Sequence, residues 1–301
     1  PRSRNAWSVV FSESFRQLIL MNNLLKKHAK SFYWASFFLS KIVIKKSTIL
    51  YNFCRTLDDI ADENNGLKIK KENFSKFKKD FLDKNFKNPI IREMWLIIDS
   101  EKISRKIVLD LFDGVESDLQ EKVNLKSKKD LLIYSYKVAG TVGLMMSKIL
   151  QVKDKEALKG AVDLGIAMQL TNIARDVVED EKSNRSYIES KFSSIKQTIE
   201  DSEVFYEKSF DSISKIPLRS RFSVIVARRV YKKINDYILK QKNIENYIKA
   251  GKIYVPLTSK INETFLSFFD FLKLLFVKNI SYDNHENHNI LAREINLNER
   301  I

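Results

Sequence analysis

Two carboxylate-rich stretches hold the residues best suited to chemistry, CRTLDDIADE at 54–63 and QLTNIARDVVEDE at 169–181. In the second, Gln169, Asn172, Asp176 and Asp180 follow at steps of three, four and four, which on a helix draws one polar stripe. Leu164, Ile166, Ala167, Met168, Leu170, Ile173, Ala174, Val177 and Val178 make the other faces apolar, so this helix is expected to be buried on most sides. A buried stripe of carboxylates and amides needs cations or hydrogen-bond partners, because unpaired buried charge costs several kcal/mol per ion. The first stretch repeats the pattern. Asp58 and Asp62 are four apart, Asp59 lies three before Asp62, and Arg55 sits a turn ahead, with Tyr51, Phe53, Cys54, Leu57, Ile60 and Ala61 as apolar flanks. Hard oxygen ligands of this kind suit Mg²⁺, which takes one or two carboxylates and fills its shell with water and phosphate oxygens. Two such helices facing each other would hold Mg²⁺ ions around a diphosphate. Taken singly, either stretch reads better as a solvated helix surface; the pair is what points to a shared site.

The elements that must position these groups read as helices. Helical periods run near 12–29, 43–63, 128–150, 155–181, 196–215 and 219–248, and alternation of the strand type is rare. A chain of 301 residues could form one domain or two, but only 7 Gly and 4 Pro punctuate it and no Gly/Ser/Pro-rich linker appears. A single all-α domain is therefore expected over residues 1–280, followed by a polar, loosely ordered C-terminal tail at 281–301. Asn64, Asn65 and Gly66 supply an end to the first acidic helix, and Pro217 separates two later ones.

Four segments carry a family resemblance: KHAKSFYWAS at 27–36, YNFCRTLDDIADE at 51–63, YSYKVAGTVG at 134–143 and AMQLTNIARDVVEDEKSNRSYI at 167–188. In order and separation they resemble the squalene and phytoene synthase family, over roughly residues 20–260. The resemblance implies a helical bundle with a central cavity, and head-to-head joining of two prenyl diphosphates through a cyclopropyl diphosphate. It assigns Asp58, Asp59, Asp62, Asp176, Asp180 and Tyr134 to catalysis, with Asp58, Asp62, Asn172, Asp176 and Asp180 as ligands of Mg²⁺, or of Mn²⁺ in its place. Phe32, Tyr51, Arg55, Gln169, Asn172, Arg175, Arg185, Tyr187, Tyr231 and Lys252 would contact substrate, with Tyr134, Tyr187, Gln169 and Tyr231 lining the reaction chamber. Arg175 has a second reading, as an i,i+4 partner of Glu179. Two positions depart from the family pattern: Ala29 stands where some relatives have Ser, and Lys252 in GKIYVP takes the place of an Arg. FCRTLDDIADE is similar to the phytoene type of motif, which implies geranylgeranyl diphosphate as substrate, phytoene as product and no NADPH. Squalene or dehydrosqualene synthesis from farnesyl diphosphate is the alternative.

In such chemistry an allylic diphosphate ionises when cations stabilise the leaving group, and the carbocation left behind must be kept from water. Of the aromatic run Phe32, Tyr33, Trp34, Phe37 and Phe38, only Phe32 is expected at the pocket.

The net charge of +15 first suggests nucleic acid. The lysines of 68–81 and 122–129 are instead dispersed through amphipathic segments without a nucleic-acid-binding motif, so a solvated surface is expected, with attraction to anionic lipid as a further use. Cys54 is the single cysteine, which excludes an intramolecular disulfide, suits a reducing cytoplasm and is expected to pack. Of the three histidines, His285 and His288 form an HxxH without further soft ligands, so zinc is not expected there, and His28 stands alone. The opening PRSRNAWSVVFSESF lacks the continuous apolar core of a signal peptide, and the absent initiator Met suggests trimming or a cloning boundary. The run TFLSFFDFLKLLFV at 264–277 is too short to span a bilayer. It would either pack on the core or lie in a membrane interface.

Overall fold

The computed structural model describes residues 30–63, 65–277, 280 and 286–301. His28, Ala29, Asn64, His285 and the period at 12–29 lie outside the described residues.

Apolar residues three and four apart generate the helices, and the charged residues between them face out. Helix α1 is Lys30–Ser36 and α2 is Lys41–Asp62. Helix α2 is capped by Ser40, whose Oγ accepts from the Val43 amide at 3.4 Å. It buries Leu50, Phe53, Leu57 and Ala61, which leaves Asp58, Asp59 and Asp62 on the opposite face. Helices α3 (Leu67–Leu82), α4 (Pro89–Glu101) and α5 (Arg105–Glu116) follow. The lysine-rich stretch is thus α3, which turns Phe74, Phe77 and Phe81 inward. The ring of Phe53 lies 5.5 to 5.8 Å from those of Phe77, Phe81 and Phe112 of α5, and Phe112 lies 5.3 Å from Phe81 and 6.3 Å from Phe77. Burying one such ring stabilises the fold by ~1.5–3 kcal/mol. The lysines of α3 are therefore the solvated face of an amphipathic helix, as expected, while Lys122 and Lys126 lie outside the helices.

Helix α6 (Lys128–Ser135) runs through a π-helical turn at Tyr136–Gly140 into α7 (Thr141–Ile149). Helix α8 (Lys155–Lys182) is capped by Asp154 and packs on the π turn, α7, α9 (Phe192–Phe210) and α10 (Leu218–Leu239), so it is the central helix. Glycine is required where α7 and α8 cross. A Cβ at Gly143 would come within 2.2 Å of the Ala161 carbonyl oxygen, and one at Gly165 within 2.3 Å of that of Ala139. A parallel two-residue ladder, β1 (Val123–Asn124) with β2 (Arg185–Ser186), returns the chain beyond α8 to the acidic end of the bundle. A 3₁₀ turn at Asp211–Lys215 precedes α10.

Three expectations change. The period read over 219–248 is two helices, α10 and α11 (Ile244–Ala250), broken where Lys242 takes a left-handed φ of 66°. The greasy run belongs to α12 (Leu257–Leu274), whose inner face holds Glu263, Ser267 and Leu274 while its phenylalanines stay largely exposed. Finally, residues 286–301 are not loosely attached. They form α13 (Glu286–Ala292) and a last 3₁₀ turn, bury Leu291 and Ile295, and place Arg300 on Asp110 at 2.8 and 3.1 Å. Asp110 in turn accepts from Tyr136 at 2.7 Å, so the segment buttresses the π turn. His288 is also committed there, 2.9 Å from Asp163 of α8.

Among the described residues no helix is long and apolar enough to cross a membrane.

Candidate active site

The two acidic stripes meet at one end of the bundle. Arg185 of β2 reaches Asp62 of α2 at 2.8 Å, so the segment following the second motif is tied to the first. Between them stands Asp118, just beyond α5. Tyr134 and Tyr187 each donate to a different oxygen of Asp118, at 2.8 and 2.9 Å. Their rings stack with centroids 4.7 Å apart. Asp118 was not legible as a site residue, because it lies outside both stripes and its partners come from distant segments.

The carboxylates repel one another. Asp58 is reached by water at the mouth of the site but hemmed in by protein, and its pKa is pushed up to about 7 by burial, then by Asp62, with Asp118 adding to both. Asp180 is likewise pushed up to about 7, by burial and then by Asp176, with Asp118 again contributing. Asp118 itself is raised by burial, against the pull of Arg185 and of the two tyrosine hydrogen bonds. That one carboxylate acts on both Asp58 and Asp180 shows that the stripes share a single field. Burial and Asp118 hold Tyr134 well above the usual phenol range, so its hydroxyl is a donor rather than a base near neutrality.

Cations frame the cluster. Arg55 pairs with Asp59 at 2.5 Å. Burial disfavours the Arg175 guanidinium, but Asp176 outweighs it through hydrogen bonds of 2.8 and 2.6 Å. This displaces the reading of Arg175 as a helix partner of Glu179. Glu179 pairs instead with Lys252, whose Nζ also stands 3.4 Å from Asp176. The hydroxyl of Tyr247 in α11 pins this part of α8 at the carbonyls of Ala174 and Arg175, 3.0 and 2.6 Å away.

Below the acidic mouth lies an apolar cavity of about 340 Å³. Phe32, Tyr51, Gln169, Asn172 and Tyr231 line it, and Phe32 packs on Tyr231 with ring centroids 5.0 Å apart. Tyr134 and Tyr187 stand beside the carboxylates, where Asp118 accepts from both hydroxyls. Five of the six serines of the wall spend their hydroxyls on carbonyls, which keeps the lining largely apolar: Ser36 on Tyr33, Ser47 on Val43, Ser147 on Leu144, Ser209 on Tyr206 and Ser223 on Ala35. Cys54 also lines the cavity, and burial pushes its thiol up, away from the reactive thiolate.

The donor set fits a hard divalent cation shared with a ligand. Asn172 Oδ1 is a buried acceptor without a hydrogen-bond partner, one helical turn before Asp176. Asp58 and Asp180 are carboxylates whose charge needs an added cation. Among the described residues no three His, Cys, Asp or Glu side chains cluster tightly enough to hold an ion by themselves. Each helix can therefore offer one or two ligands, with phosphate and water completing the shell, the habit of Mg²⁺.

An all-α bundle with an acidic mouth over a largely apolar cavity defines an enzyme of the prenyltransferase type. The family model for squalene/phytoene synthase matches residues 25–190. A 15-cis-phytoene synthase of Pantoea ananas is 27% identical over 251 residues, which cover 71% of this chain and 81% of that protein. A phytoene synthase of Cereibacter sphaeroides is 29% identical over 251 residues, covering 71% of this chain and 70% of its own. A dehydrosqualene synthase crystallised with a ligand superposes with a TM-score of 0.74 at 26% identity, covering 87% of this chain and 99% of that one. The chain belongs to the squalene/phytoene synthase family.

Proposed function

We propose that the protein joins two molecules of geranylgeranyl diphosphate head to head into phytoene. One diphosphate ionises, the double bond of the second molecule attacks the C1 carbocation left behind, and loss of a proton closes a cyclopropyl diphosphate. That intermediate ionises in turn, rearranges and loses a second proton, so two diphosphates are released and no reductant is consumed. Mg²⁺, when bound, would supply the charge that stabilises each leaving group.

The chain's own residues do the rest. Asp58 and Asp62 from α2, with Asn172, Asp176 and Asp180 from α8, would hold the cations. Arg55, Arg185 and Lys252 would take phosphate oxygens, exchanging the carboxylates that now pair them. Tyr134 and Tyr187 orient Asp118, and the cavity walls keep water from the carbocations. The observation that carries this reading is the acidic mouth set directly over a cavity of mostly apolar lining. The relatives named phytoene synthase favour the twenty-carbon substrate. The likeness to a dehydrosqualene synthase supports the second reading, farnesyl diphosphate as substrate. We further place the protein at the cytoplasmic face of a membrane, in peripheral contact, because its product is insoluble in water.

Incubation with geranylgeranyl or farnesyl diphosphate and Mg²⁺, with and without NADPH, followed by mass spectrometry of the hydrocarbon, tests the assignment. Phytoene from geranylgeranyl diphosphate without reductant is expected. Product from farnesyl diphosphate alone, or only with NADPH, supports the second reading instead.

A further inference from the structure

Helix α12 separates charge from apolar surface. Its two carboxylates, Glu263 and Asp270, point inward and both meet Arg229, at 2.9 and 2.8 Å. On the other side, steps of four, four, three and four align Leu257, Ile261, Phe265, Phe268 and Leu272, all exposed. Phe265 is 64% exposed, and Phe276, which continues the face beyond the helix, is 80% exposed. The only ionised side chain that α12 leaves exposed is Lys273. A soluble helix usually carries its acids outward and its phenylalanines inward, and this one does the reverse.

The same helix packs on two elements of the cavity wall, α1 and α10. Helix α1 lines the cavity with Phe32, Ala35 and Ser36. Its other side meets α12, where Trp34 Nε1 donates to Thr264 Oγ1 at 2.9 Å. Just past α1, Phe37 is 63% exposed and Phe38 packs on Phe222, which in turn meets Phe271 of α12. Helices α1 and α10, which both line the cavity and both meet α12, therefore stand between the cavity and the exposed aromatic surface.

We infer that the α12 face with Phe37 lies on an anionic lipid leaflet, and that hydrocarbon product leaves the cavity past α1 directly into that lipid. This rests on the reading above that the product is a hydrocarbon. Three features select lipid as the occupant. The face lacks outward carboxylates that would repel an anionic surface, the chain carries a net charge of +15, and the apolar stripe runs the length of a helix that cannot span a bilayer.

The test uses the whole chain and a variant, Phe265→Gln/Phe268→Gln/Leu272→Gln, whose changes fall on exposed positions outside the site. Cosedimentation with phosphatidylcholine vesicles containing phosphatidylglycerol should show binding that weakens at high salt and on phosphatidylcholine alone. The variant, with an unchanged melting temperature, should partition about a hundredfold more weakly. Light scattering during gel filtration separates the rival occupant: a dimer that the variant converts to monomer, without vesicle binding, would assign the face to a second copy and overturn the inference. Equal vesicle binding by variant and parent overturns it as well. A pre-steady-state experiment tests the exit. The parent should show a burst of one product per protein followed by slow turnover that the anionic vesicles accelerate, and the variant should keep the burst and lose the acceleration. A burst that vesicles never relieve removes the exit route. No product from any prenyl diphosphate would sink the proposed reaction, with sedimentation still deciding the lipid contact.

Discussion

Arg185 and Asp62 form an ion pair of 2.8 Å that joins the strand after the second acidic helix to the end of the first. Neither motif alone predicts that contact, yet it sets the distance across which a diphosphate would be held. Asp62 is half-exposed, so the pair contributes little to stability, on the order of 0–1 kcal/mol. Its value is in position. Arg185→Gln is expected to lower turnover by about a hundredfold or more while shifting the melting temperature by only a few degrees. Steady-state kinetics beside thermal melts check this, and a variant of normal activity would remove Arg185 from the site.

Asp118 couples the two stripes electrically. Asp118→Asn removes a negative charge that raises both Asp58 and Asp180, so their pKa values should fall from about 7. The acid limb of the rate–pH profile should move to lower pH in the variant, with the maximum rate reduced because one tyrosine loses its acceptor. An unmoved acid limb would show that Asp118 serves only packing.

The strained carboxylates also make a prediction for stability. The unfolded chain releases the protons of Asp58 and Asp180 near pH 4, whereas the folded chain keeps them to about 7. Between those values the folded state binds more protons, so this contribution to stability is full below about pH 4, falls as pH rises and levels above about 7. In chelator, Asp58→Asn/Asp180→Asn should therefore match the parent near pH 4 and exceed it at pH 8. Mg²⁺ with diphosphate should raise the parent's melting temperature at pH 8 and leave the variant's nearly unchanged. A constant difference between the two proteins across pH would contradict the assigned shifts.

Much of this was legible from spacing, and the remainder fails for identifiable reasons. The stripe Gln169–Asn172–Asp176–Asp180 could be read because polar residues interrupt an apolar helix at its own period. Phe32, Gln169 and Tyr231 were expected at the pocket from family resemblance, and the cavity is lined by these residues together with Tyr51 and Asn172. Helix α3 was hidden because lysines outnumber its three inward phenylalanines. Asp118 was hidden because its meaning lies in contacts with Tyr134 and Tyr187, 16 and 69 residues away. The tail read as loose because its polar residues have partners, Asp163 for His288 and Asp110 for Arg300, that no local pattern announces.

The glycines of the α7–α8 crossing give a prediction about packing. At Gly143 and Gly165 a methyl group would press into a backbone carbonyl, which cannot swing aside as a side chain can. Gly143→Ala or Gly165→Ala should destabilise the fold by roughly 1–3 kcal/mol or more, read from urea unfolding, and should widen the cavity wall enough to lower activity in the folded fraction.

The central claim is that both acidic helices hold one metal–diphosphate group at the mouth of the cavity. Titration calorimetry with an unreactive thiodiphosphate analogue of geranylgeranyl diphosphate tests it most directly. Binding should require Mg²⁺ or Mn²⁺, and Asp58→Asn and Asp176→Asn should each weaken it by about tenfold or more, although they lie on different helices. Equal affinity in a metal chelator, or a loss confined to only one of the two variants, would contradict the account.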